Sequence, residues 1–169
     1  GPQAAAPQEQ ITLKVDNLPT RDQAVTPEAK ARLACADAFL AKHPNVKLIP
    51  FQPLNIEGMG AMDSGPLMAM AGGIAPHVMY VNFRISETFI SQGFLYPLDK
   101  YIEQWQKEEP EARRDGGLIP PQVWDVIERE GPNTGEPALG RDGKKHIWSA
   151  PYGVVVMALM HRKDLYKKA

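Results

Sequence analysis

"HVMYVNFRISETFISQG", residues 77–93, changes character halfway along. Residues 77–81 form a short apolar run that reads as a buried strand, and residues 86–93 open on a capping serine and close on a glycine, which reads as a short helix. Between them stand Asn82, Phe83 and Arg84, side chains able to donate, stack and carry charge. In open α/β sheets, ligands bind outside the carboxyl ends of the strands. The three residues occupy such an end if the neighbouring segments form such a sheet.

The flanking sequence supplies strands and helices in alternation. Ile11, Leu13 and Val15 alternate with polar Thr12 and Lys14, the period-2 pattern of a strand. After a polar loop over 16–25, Thr26-Pro27 offers a side-chain oxygen at the N-cap and a proline at the first helical position. Ala29, Leu33, Ala36 and Leu40 then recur on one helical face, and His43-Pro44-Asn45 stops the helix. Residues 46–51 read as a second strand, 64–71 as a helix, and 77–81 as the third strand. Leu98, Ile102 and Trp105 mark another amphipathic helix. A further helix is expected over 120–130, with Val123, Trp124 and Ile127 inward. Arg141-Asp-Gly-Lys144 carries a hairpin-turn signal, leading into strands at 146–149 and 154–161. This order predicts an α/β fold with a mostly parallel sheet flanked by helices.

Composition excludes several classes. The chain has 169 residues, 43% hydrophobic and 23% charged, with a net charge of -1. That suits a globular domain with its own core. No basic stripe exists to neutralise a phosphate backbone, so no nucleic-acid partner is expected. No apolar run approaches the ~20 residues of a membrane span. The single cysteine, Cys35, rules out an internal disulfide and a multi-cysteine metal site, and its alanine-rich helix predicts a small buried thiol. Gly1-Pro2 reads as the scar of a cleaved tag, and residues 1–10 as a flexible lead-in.

Catalytic motifs are weak or missing. The stretch from Gly58 to Gly65 has the wrong glycine spacing for a dinucleotide-binding turn, and no Gly-Lys-Ser/Thr completes a P-loop. His43, His77, His146 and His161 lack zinc-ligand spacing, and are expected to pack or to face solvent. Cys35 has no identifiable base, and no Gly-x-Ser-x-Gly elbow occurs. The acidic run around 103–111 alternates with basic residues, as solvated helix faces do. Met59, Met62, Met68 and Met70 read as irregular core filling. No enzyme, cofactor or metal is expected.

Three segments together resemble the first lobe of a family-1 extracellular solute-binding protein, the maltose-binding type, which captures ligand for an ABC importer. They are "FLAKHPNVKLIP", "AMAGGIAPHVMYVNFRISETFISQGFLYPLDKYI" and "DGKKHIWSAPYGVVVMALMHRKDLYKKA". Their order and spacing cover nearly all of residues 11–169. His77 departs from the family's usual Asp after Ala-Pro, a structural position, and residues 107–140 are longer and richer in proline than the usual connection.

The resemblance implies a periplasmic-binding-protein type II fold, with residues 11–150 as the first lobe. Residues 151–169 would be the interlobe crossing and the start of a truncated second lobe. It also implies a sugar or oligosaccharide ligand, a membrane permease as partner, and a periplasmic or extracellular location. By position, Asn82, Phe83 and Arg84 match the family's pocket loop after the third strand, and Arg21 and Asp22 the loop after the first. Tyr152 falls near the interlobe crossing. Glu87, in the first turn of the following helix, either bonds ligand or complements the positive helix end. A nucleotide-using α/β enzyme domain and a sensor ectodomain or peptide binder on the same fold are the rival readings. Residues 17–22 after the first strand, 55–59 after the second and 82–84 after the third are expected to converge on one rim, though any one of these loops also reads as a solvated connection.

Overall fold

A computed structural model describes residues 9–52 and 64–153 of the chain. The strand expected at 154–161, the methionine-rich segment before residue 64 and most of the lead-in lie outside the described residues. The chain is a mixed α/β protein with helices alternating with small sheets. It divides into two compact units, Gly1–Phe89 and Ile90–Ala169.

The first unit is built on a parallel ladder. Strand β1 (Ile11–Val15) pairs in parallel with β2 (Val46–Pro50), in the register Leu13 opposite Leu48. Parallel neighbours need a crossover, and helix α1 (Pro27–Lys42) provides it. Thr26 caps α1 by accepting the Ala29 N–H at 3.2 Å, with Pro27 in the first turn. Ala29, Leu33, Ala36 and Leu40 lie on its less exposed side, as their spacing predicts. Cys35 is a correction: the thiol is exposed. It sits two positions from Leu33, about 200° around the helix, so it belongs to the outer face.

The third strand is reduced to one parallel bridge, Val15 to Val78. In a longer ladder, the Lys14 N–H would bond the carbonyl of residue 76. Here it donates instead to His77 Nδ1 at 2.8 Å. The Lys14 carbonyl accepts from both His77 N (2.8 Å) and Val78 N (3.2 Å), and Asp16 N donates to Val78 O at 2.8 Å. Val78 therefore stands beside β1 on the side away from β2, with all three segments running the same way. Helix α2 (Ser64–Ala71) places Ala69 in the core. Helix α3 (Ser86–Ser91) follows the Asn82 turn, and Gly93 adopts φ 72° just beyond it.

The second unit is antiparallel, which corrects the expectation of a mostly parallel sheet. Helix α4 (Asp99–Glu108) buries Ile102, and α5 (Pro121–Ile127) buries Trp124. The tilted rings of Trp105 and Trp124 have centroids 6.4 Å apart. The helix expected over 120–130 stops at Ile127, because β3 (Glu128–Glu130) pairs with β6 (Lys145–Ile147) and sets Glu130 opposite Lys145. Opposite charges across a ladder favour such a pairing. β4 (Asn133–Glu136) pairs with β5 (Arg141–Asp142), fastened by Arg141 to Glu136 at 2.7 Å. The turn after Arg141 forms, with Gly143 at φ 71° and Lys144 N donating to Asp142 at 3.1 Å. Its two flanking strands pair with β4 and β3 rather than with each other. Strands of two to four residues joined by short turns have no room for parallel crossovers. Among the described residues, no helix is long and apolar enough to cross a membrane.

Candidate functional site

The carboxyl edge of the parallel ladder gathers two of the expected loops. Because Asp16 is bonded to Val78, the chain leaving β1 and the chain leaving Val78 start side by side, on the same edge. Asn17 turns the first loop with φ 56°, the left-handed region that asparagine tolerates better than most residues. Its side-chain amide bonds Asp16 at 3.1 Å, and Arg32 of α1 donates to its carbonyl at 3.2 Å.

Arg21 and Asp22 behave differently within this loop. Arg21 grips Asp37 of α1 with two bonds, at 2.8 and 3.3 Å, so its guanidinium is committed to holding loop against helix. Asp22 is exposed, and its carboxyl is held below the usual carboxylate range by the Thr20 hydroxyl first, then by nearby backbone N–H groups. It is an ionised acceptor.

The second loop is a turn closed by Asn82. Its side-chain oxygen accepts from Arg84 N at 3.0 Å, while its backbone carbonyl accepts from Ile85 N and Ser86 N at 3.1 Å each. Asparagine makes such local turns because its side chain mimics the backbone two residues on. What Asn82 can offer a ligand is its amide NH2, the oxygen being occupied. Ser86, 8% exposed, donates its hydroxyl to Phe83 O at 2.8 Å and so fixes the turn from below. The result is a rigid backbone carrying Phe83 outward, 61% exposed, next to exposed Arg84. Among the described residues, no ion pair engages the Arg84 guanidinium, in contrast with Arg21. Glu87 is exposed in the first turn of α3, where a carboxylate also favours the helix start. Tyr152 is exposed and belongs to the second unit.

Two features escaped the sequence reading. Tyr80, half exposed, adds a second aromatic to the segment entering the Asn82 turn; its place in the expected strand masked it. His146 lies between Asp142 and Asp99, with Nε2 2.8 Å from Asp142 and Nδ1 3.1 Å from Asp99. The Asp142–His146 spacing of four was a local signal, but Asp99 is 47 residues away. No group of three or more candidate ligands for a metal ion occurs among the described residues. A scan against protein-family models and a search of curated proteins give no match to this chain.

Proposed function

We propose that the carboxyl edge of the β2–β1–Val78 ladder binds a polar small solute, a sugar or oligosaccharide first among them. On this reading the chain is the ligand-capturing component of an ABC importer. It would be similar to the first lobe of a family-1 solute-binding protein with the periplasmic-binding-protein type II fold. The observation that carries the reading is the Asp16–Val78 hydrogen bond, which starts the two polar loops from neighbouring strands. A sugar ring presents hydroxyls at its edge and a weakly apolar C–H face. Phe83 offers a plane for that face; Asp22 accepts from hydroxyls, and Arg84 and the Asn82 amide donate to them. No bond is made or broken. The chain acts by capture outside the cytoplasm and hands its solute to a membrane permease.

Arg84→Ala is expected to weaken solute binding by about 1.5–3 kcal/mol, the cost of a lost charged hydrogen bond. Arg113→Ala should change it little, because Arg113 lies in the other unit and donates to Gln106 O at 3.3 Å. Calorimetry of both variants against the same sugar panel tests the assignment. Equal losses in the two variants would remove Arg84 from the site.

A further inference from the structure

His146 stands at the centre of a polar joint in the second unit. Its side chain is only 17% exposed, and each ring nitrogen faces a carboxylate oxygen. Asp99 is the first residue of α4, and its other oxygen accepts from Ile147 N at 3.3 Å. Asp142 ends β5 and also receives Lys144 N at 3.1 Å, with Lys144 Nζ 3.9 Å away. The Trp148 ring packs edge-on at 5.8 Å. Arg129, opposite His146 in the β3–β6 register, bonds Val126 O through Nε at 3.1 Å. The backbone bond from Leu98 N to Ile147 O, 2.7 Å, completes the joint between the start of α4 and β6.

An imidazole with both nitrogens donating is the charged form; a neutral ring has one N–H and one lone pair. Deprotonation therefore sets a lone pair against one of the two carboxylates. Asp142 has the shorter contact and sits in the same tight turn, four residues from the ring. Asp99 has the longer contact and reaches across from another element.

We propose that His146 is a proton-operated latch, which joins Asp99 at the start of α4 to Asp142 on β5 when doubly protonated and releases Asp99 when it loses the Nδ1 proton. Burial disfavours the charged ring, but the hydrogen bonds it donates to Asp142 and Asp99 outweigh it and raise the ring's proton affinity. The sign follows from that. The latch is closed at and below the ordinary histidine value of about 6.5, and it opens as pH rises through the higher folded-state value. Asp142, held below its ordinary range by His146, keeps the latch charged until the pH falls well into the acid range. The device is independent of solute capture at the other unit, so either can fail alone.

Nitrogen-detected NMR of the imidazole in the intact chain reads both midpoint and tautomer, and hydrogen exchange reads the joint. The expected result is a His146 midpoint above about 6.5, the Nε2–H tautomer above it, and earlier exchange at Ile147 and the first turn of α4. After correction for intrinsic chemistry, that exchange should rise by about tenfold for each unit by which the midpoint is raised. Asp99→Asn, whose amide can donate to a neutral Nδ1, should lower the midpoint and remove the pH dependence at Ile147. An Nδ1–H tautomer, a midpoint at or below the ordinary value, or unchanged pH dependence in Asp99→Asn would overturn the proposal.

Discussion

Trp124→Ala is expected to destabilise the second unit by about 3–5 kcal/mol, the usual cost of deleting a fully buried tryptophan. Trp124 has no exposed surface, and its ring is the partner of Trp105. With domain stabilities of about 5–15 kcal/mol, that is about a fifth of the total or more. One detail separates this residue from an ordinary core tryptophan. Among the described residues its indole N–H has no hydrogen-bond partner, and a buried donor left unmade costs about 1–3 kcal/mol. Trp124→Phe removes that donor while keeping an aromatic plane, so it should cost clearly less than its lost volume suggests. Urea unfolding of the three proteins measures both effects. A Trp124→Ala change below about 1 kcal/mol, the level of ordinary surface or single-bond effects, would show that the ring is not the centre of this core.

Gly131→Ala is the second large effect, expected at about 3 kcal/mol or more from overpacking against backbone. Gly131 is buried where β3 leaves for β4, and its N–H donates to Lys144 O at 2.9 Å. A Cβ there would overlap the carbonyl oxygen of Gly140 and come within 3.0 Å of the Trp148 ring. Neither neighbour can yield. The Trp148 indole donates to Arg129 O at 2.8 Å, and Gly140 is a left-handed turn at φ 67° whose own Cβ would meet Trp148 at 2.7 Å. Three residues thus interlock, two of them glycines because no side chain fits. Thermal unfolding followed by tryptophan fluorescence reads the loss. Gly135→Ala is the comparison, since among the described residues no heavy atom lies within 4 Å of its would-be Cβ and only its φ of 82° is strained. Similar losses at the two glycines would mean that strain, not packing, governs Gly131.

What could be read from the sequence was what local chemistry decides. Thr26-Pro27 sets the start of α1 and His43 its end, because capping acts within one turn. The α4 stripe and the turn at Gly143 are equally local. Illegible were the choices made by distant partners. Glu128–Glu130 leaves its helix for Lys145–Ile147, and the third parallel strand is cut to a bridge because β1, some sixty residues earlier, ends at Val15 and turns at Asn17. The same division runs through the candidate site. That Asn82 would cap its own turn is a property of asparagine in such a loop. That Arg21 would be committed to Asp37 depends on how α1 docks, sixteen residues on.

The central claim, that the loops after β1 and Val78 form one solute-binding rim, has a direct test. Backbone amide NMR of the chain, titrated with a carbohydrate panel up to about millimolar, covers an affinity as weak as about 4 kcal/mol of binding energy. The account predicts saturable shifts at Asn17, Arg21, Asp22, Asn82, Arg84 and Glu87 together, with residues of the second unit around Gly131 and Gly140 unmoved. Shifts confined to one of the two loops, or to the second unit, would contradict it.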